Sequence, residues 1–286
     1  MSYTKKAFEE LDIIDDFLMN AVASDPEVGE AFCRKILSVL LQRSIRKIRI
    51  VSQRTIPAVT PEHRGIRMDV EVEEAAEFDT QVLNIYDIEP HNKDACFLPK
   101  RNRFYQAKID GRYLISGETD FGKLPNLYVI TITNYDPFGE DYMMYTVQNQ
   151  CVEIPQLEYD DGLQFIYFNT KGTKGGNEAI HKLLTYIQNS KESNVTDEIT
   201  RELHQYVSRV RVQPEVRMEY MKFDEIIAYE RLDEKKDAIL ELLEEYGEIP
   251  RSLREKIEKV VSKDVLTRWH KLAAKVETIE EFMEKM

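Results

Sequence analysis

Two acids on neighbouring extended segments, with a basic-aromatic helix behind them, are the residues best placed to do chemistry in this chain. The first acid is Asp69, in Gly65-Ile66-Arg67-Met68-Asp69-Val70. The second is Glu89, about twenty residues on, in Tyr86-Asp87-Ile88-Glu89-Pro90-His91. The helix reads Leu98-Pro99-Lys100-Arg101-Asn102-Arg103-Phe104-Tyr105-Gln106-Ala107-Lys108-Ile109-Asp110. Acids on adjacent strands, projecting from one sheet face, suit a divalent cation such as Mg2+ or Mn2+, which favours carboxylate and water oxygens. A basic helix beside them suits phosphate. Phosphodiester hydrolysis needs both an activated water and neutralisation of the charge that builds on phosphorus. The combination points to metal-dependent cutting of nucleic acid.

A competing reading takes Asp69, Glu71 and Glu73 as a solvated strand face. Glu89 resists it, because it ends an otherwise buried strand where an unpaired carboxylate is costly. Lys100, Arg101, Arg103 and Lys108 fall within three helical turns, and Tyr105 lies at i+4 from Arg101. Arg43, Arg46, Lys47, Arg49 and Arg54, with the loop Thr170-Lys171-Gly172-Thr173-Lys174-Gly175-Gly176, could widen a phosphate-binding patch. That loop lacks the GxxxxGK[ST] spacing of a nucleotide triphosphate site. There is no GxSxG elbow and no HExxH helix. The five histidines, His63, His91, His181, His204 and His270, show no ligand spacing. His181, His204 and His270 sit in helical patterns as surface or packing residues.

The elements that position these residues follow from periodicity. Phe8, Leu11, Ile14, Leu18 and Val22 predict a helix over 8–22, and Asp25-Pro26 predicts the start of a second, with Val28, Phe32, Ile36 and Leu40 on its apolar face. Ile48 and Ile50 alternate with basic residues as in a strand. Over 65–73, Ile66, Met68, Val70 and Val72 take one face and Arg67, Asp69, Glu71 and Glu73 the other. Over 82–89, Asp87 and Glu89 share a face with Leu83 and Ile85; this segment is apolar on both sides and so central in its sheet, ended by Pro90. A helix over 99–114, strands at 127–132, 143–147 and 163–168, and a helix over 177–188 complete a mixed α/β domain of residues 1–190. After the polar stretch 189–194 every pattern is helical, which predicts a separable helical region over 195–286, a candidate for homo-oligomer contacts. A fragment ending near Asn194 should then stay folded.

The chain has 286 residues, of which 42% are hydrophobic and 32% charged, and a net charge of −13. A core is affordable at that length, and any nucleic-acid surface must be a local patch against an acidic background. No apolar run is long enough to span a membrane, and the first residues lack a signal-peptide core. Cys33, Cys96 and Cys151 are scattered and odd in number, as expected of reduced thiols in a cytoplasmic protein.

The order of these segments resembles the PD-(D/E)XK nuclease-fold transposases, the recombination-promoting nuclease family. Besides the Asp69–Asp110 stretch, the resemblance rests on Leu11-Asp12-Ile13-Ile14-Asp15-Asp16-Phe17, Asn134-Tyr135-Asp136-Pro137-Phe138-Gly139, Asn149-Gln150-Cys151 and Phe168-Asn169-Thr170-Lys171-Gly172, covering about residues 8–190. It implies a restriction-endonuclease-like core, a central mixed sheet flanked by helices, and Mg2+-dependent DNA cleavage. It implies Asp69 and Glu89 as metal-binding acids, with Glu30 as a further acid from the preceding helix. The third catalytic position, usually lysine or glutamine, is His91 here. A histidine is about neutral at pH 7 and suits a general base, with Lys100 available to supply a fixed charge. Arg101, Arg103 and Tyr105 would bind phosphate. The second reading is a nuclease fold kept as a non-catalytic binding module, which the −13 net charge favours.

Overall fold

β-Branched and aromatic residues build the sheet that carries Glu89. The computed structural model describes residues 6–52, 55–56, 66–67, 69–75, 81–92, 97–114, 117 and 119–286. Arg54, His63, Gly65, Met68 and Cys96, which figure in the sequence reading, lie outside these. The strands are β1 (Ile48–Ser52), β2 (Thr55–Ile56), β3 (Ile66–Arg67), β4 (Val70–Ala75), β5 (Val82–His91), β6 (Asn126–Thr133), β7 (Met144–Val147) and β8 (Leu163–Asn169). Six of them form one mixed sheet in the order β1-β4-β5-β6-β8-β7. β5 is parallel to β6, and β6 to β8, while the other neighbours are antiparallel. β5 is an interior strand, as its two apolar faces require. Pro90 does not end it: the strand runs on to His91, pairing with β6, because β4 has already stopped pairing at Ile88.

Val70, Val72, Tyr86, Ile88, Ile130, Ile132, Ile166 and Phe168 are buried on one sheet face. α1 (Asp16–Ala23) lies across β1, β4 and β5, α2 (Gly29–Leu40) contacts β1, and α4 (Glu178–Gln188) and α5 (Glu198–Arg211) pack on α2. The helix expected over 8–22 is interrupted. A 3-10 turn at Phe8–Glu10 is followed by extended chain before α1. The interrupting backbone groups bond elsewhere: Ile13 N–H donates to Ser190 Oγ at 2.9 Å and Ile14 N–H to the Ile187 carbonyl at 3.0 Å. The second helix starts at Gly29, after a turn in which Asp25 Oδ1 accepts the Glu27 and Val28 N–H groups. The opposite sheet face is covered by α3 (Leu98–Asp110).

The chain divides into two compact units, Met1–Val216 and Arg217–Met286. This division falls later than the expected 190–195. α5 buries Leu203, Val207 and Val210 in the first unit, and Arg211 donates to the Leu11 and Ser190 carbonyls at 2.6 and 3.1 Å. A fragment ending near Asn194 therefore strips a core helix from the first unit. The second unit takes most of α6 (Pro214–Glu244) with α7 (Arg251–Glu258), α8 (Lys263–Ala273) and α9 (Ile279–Lys285) around Ile239, Leu243, Ile257, Leu266 and Phe282. Among the described residues no helix is long and apolar enough to cross a membrane.

Candidate functional site

The face of the sheet beneath α3 carries a strip of carboxylates laid out by strand register. Glu71 stands opposite Asp87, which stands opposite Val129 and in turn Phe165. One step along, Glu89 is level with Thr131 and Tyr167, and beyond it His91 is level with Thr133 and Asn169. Asp69 lies just before β4, and its N–H donates to Glu89 Oε1 at 3.2 Å. Sequence alternation thus placed Asp69 and Glu89 on one face, and the structure brings them side by side.

α3 is fixed over this strip by apolar and polar anchors. Tyr105 and Ile109 pack on Ile85, Leu127 and Val129. Asn102 Nδ2 donates to Thr131 Oγ1 at 2.9 Å, from a fully buried position. With the helix rotated this way, Arg101 faces the carboxylates. It donates to Glu89 Oε2 at 2.9 Å and to the Tyr105 hydroxyl at 3.0 Å, and lies 5.0 Å from the centre of the Tyr105 ring.

The carboxylates are not a solvated strand face. Glu71 and Glu73 are buried, and each has a basic partner. Arg112 pairs with Glu71; Arg49 pairs with Glu73, its Nε at 3.0 Å, and the Tyr113 hydroxyl donates to Glu73 at 2.9 Å. Asp87 differs. It is fully buried, and neither of its oxygens accepts a hydrogen bond among the described residues. Burial, with the charges of Asp69 and Glu71, pushes the Asp87 carboxyl well above the usual carboxylate range. Burial, then Asp87 and Asp69, push Glu89 the same way against the opposing pull of Arg101. A protonated carboxyl or a bound cation would relieve both.

His91 lies with Nε2 buried, 4.0 Å from Glu89 Oε2 and without a hydrogen-bond partner among the described residues. Burial, then Arg101, lower its pKa to about 4. It is neutral at pH 7, and its titration is moved out of the 6–7 range of an ordinary histidine.

Other expected site residues stand elsewhere. Lys100 and Arg103 fall on a different stripe of α3 from Arg101 and Tyr105, since successive helical residues turn by about 100°. Both are exposed and line a groove with Phe138 and Tyr167, away from Glu89. Lys100 therefore does not supply the charge next to His91. Glu30 is a correction too: it is exposed on α2, where it pairs with Arg34 one turn on. Arg43 lies on the other sheet face, donating to the Tyr86 hydroxyl at 2.7 Å. Asp87, Asn102, Arg112 and Tyr113 were given no role by sequence reasoning. Asp87 was the findable one, because it shares the buried strand and face that made Glu89 conspicuous. Arg112 lies beyond the helix end, where periodicity says nothing of its direction.

Among the described residues no group of three or more His, Cys, Asp or Glu forms a ready-made metal cage. Mg2+ asks less, since one or two carboxylates and waters commonly hold it. Comparison with family models, with curated proteins and with solved structures finds no match to this chain, so its first unit stands as an α/β fold with a six-stranded mixed sheet flanked by helices.

Proposed function

We propose that this chain is a divalent-metal-dependent DNA endonuclease of the recombination-promoting nuclease type, its first unit a PD-(D/E)XK-like core. The observation that carries the reading is the Asp87 carboxylate, fully buried and without a hydrogen bond among the described residues, beside Glu89 and Asp69. Such a group is costly unless a cation or proton joins it. The donors are all carboxylate oxygens, which fits Mg2+ or Mn2+ better than softer metals. Glu89, with Asp87 or Asp69 and waters, would hold the ion, which when bound supplies positive charge and an activated water.

The protein's own residues account for the rest. Arg101 is a fixed cation at the strip, and its fork suits a phosphate oxygen. The Tyr105 hydroxyl, buried and hydrogen-bonded to Arg101, orients that fork. His91, neutral and with Nε2 unpartnered among the described residues, can accept a hydrogen bond from water, but its lowered pKa makes it a weak base. Its role is to orient water rather than to supply charge.

The test is plasmid nicking with Mg2+, Mn2+ or EDTA. Wild type should nick with either metal and not in EDTA, and Glu89→Gln and Asp87→Asn should each lose about 100-fold or more, as expected when a group acting on transition-state charge is removed. Cutting by Glu89→Gln at the wild-type rate would overturn the assignment. One observation favours a second reading, a non-catalytic module: both Glu89 oxygens are already engaged, by Arg101 and by the Asp69 N–H. No nicking under any condition, with DNA binding intact, would select it.

A further inference from the structure

The structure divides the cations of α3 into two sets, and only one of them serves the carboxylates. Lys100 and Arg103 line a groove of about 490 Å3 between α3 and the β7–β8 edge of the sheet. Its other walls include Gln106, Asn149, Phe138 and Tyr167. Neither Lys100 nor Arg103 has an ion-pair partner among the described residues. In a protein of net charge −13, two cations left unpaired in one concavity are a local anion-binding feature.

The groove also offers an aromatic surface. Phe138 is 40% exposed, yet its ring is held edge-on by Tyr145 and Tyr167, with centroids 4.9 and 5.0 Å away. A ring fixed from two sides and open to solvent is a stacking platform with little rotational freedom left to lose. Lys100 lies 5.4 Å over a second aromatic ring, Phe97, which is 74% exposed. Gln106 and Asn149 add amide donors and acceptors to the walls. Cations for a phosphate, a ring for a base and amides for its edge make a set that matches a nucleotide whose base is unpaired. A duplex keeps its base faces stacked internally and cannot use the ring.

The position relative to the carboxylates fits one continuous strand. Tyr167 is in register with Thr131, and Thr131 with Glu89, so the groove wall is two strand spacings from Glu89, about 10 Å. We infer that this groove seats an unpaired nucleotide of the strand being cut, its phosphate held by Lys100 and Arg103 and its base stacked on Phe138. The inference rests on the nuclease reading above and specifies its substrate as single-stranded or locally opened DNA.

The experiment measures binding of a fluorescent 20-nucleotide dT oligomer and of a duplex of the same length, in EDTA so that nothing is cut, for wild type, Phe138→Ala, Phe138→Trp and the double variant Lys100→Gln/Arg103→Gln. Wild type should prefer the single strand. Phe138→Ala should weaken single-strand binding about tenfold, the scale of one base–aromatic stack, and leave duplex binding unchanged. Phe138→Trp should restore it, which a merely unfolded groove would not allow. The double variant should weaken binding and flatten its salt dependence. Equal affinity for single strand and duplex, or a Phe138→Ala variant that binds dT as wild type does, overturns the inference. The two claims separate in a parallel nicking assay. Metal-dependent cutting with no effect of Phe138→Ala sinks the groove and spares the nuclease. Loss of dT binding in Phe138→Ala with no cutting by any form sinks the nuclease and spares the groove.

Discussion

The carboxylates under α3 form two halves that differ in one respect. Glu71 and Glu73 are as buried as Asp87 and Glu89, on the same face of the same two strands. Glu71 is matched by Arg112, and Glu73 by Arg49 and Tyr113. Among the described residues Asp87 has no hydrogen bond, and Glu89 shares one arginine with the charges of Asp87 and Asp69 around it. Burial alone therefore does not mark a site. What marks it is burial without enough positive charge, and that excess is confined to the half nearest Arg101 and His91.

The contrast can be broken most strongly from the matched side. Arg112→Ala removes the guanidinium paired with the buried Glu71 carboxylate, which should cost about 3–5 kcal/mol, measured by chemical denaturation. A loss below 1 kcal/mol would mean that the two halves are not different in kind. The unmatched half should respond to cations instead. Mg2+ or Mn2+ at about 100 times its dissociation constant should stabilise wild type by about 2.7 kcal/mol, seen as a rise in Tm, and Asp69→Asn or Asp87→Asn should shrink that rise. Equal rises in wild type and variants would place the ions elsewhere.

A smaller effect, of opposite sign to ordinary core mutations, is expected from Asp87→Asn in EDTA. The folded Asp87 carboxyl has a raised pKa, so the folded state binds more protons than the unfolded one between the two values. Its contribution is most favourable below the unfolded value, about pH 4, and is lost as pH rises toward the folded one. Asp87→Asn should therefore stabilise the metal-free protein by about 1–2 kcal/mol at pH 7, a gain that vanishes below about pH 4. His91 runs the other way: with its pKa lowered to about 4, its contribution is lost as pH falls through that region. Comparing wild type and variant at each pH cancels it. The smallest effect belongs to Arg49→Ala. Its side chain is 71% exposed, so the loss should stay under about 1 kcal/mol despite the buried partner, because Tyr113 still donates to Glu73.

Period-2 alternation made the strip legible in the sequence: it put Asp69, Glu71 and Glu73 on one face, paired Asp87 with Glu89, and marked β5 as interior. The strands and helices about the sheet followed from the same patterns. The pairing state of each acid was not legible. Arg112 and Tyr113 reach Glu71 and Glu73 from beyond the end of α3, where no period constrains direction. Nor could the sequence say which α3 cations face inward, since that depends on a rotation set by Asn102 on Thr131. The 8–22 helix failed because chain 11–14 bonds to residues 187–190, a partner remote in sequence. α5 was assigned outward for a related reason: an amphipathic helix declares an apolar face but not the surface that covers it.

The sheet's mixed topology has a consequence for the order of assembly. β4 and β5 are sequential antiparallel neighbours, whereas the parallel pairing of β5 with β6 waits for the crossover through α3. Local pairings close before distant ones because they lose less chain entropy. On that order Glu71 and Asp87 are expected to meet while water still surrounds them, with dehydration following as α3 docks. The carboxylate strip is then expected to slow the closing of the sheet and not its beginning, so that Asp87→Asn should speed the final refolding phase.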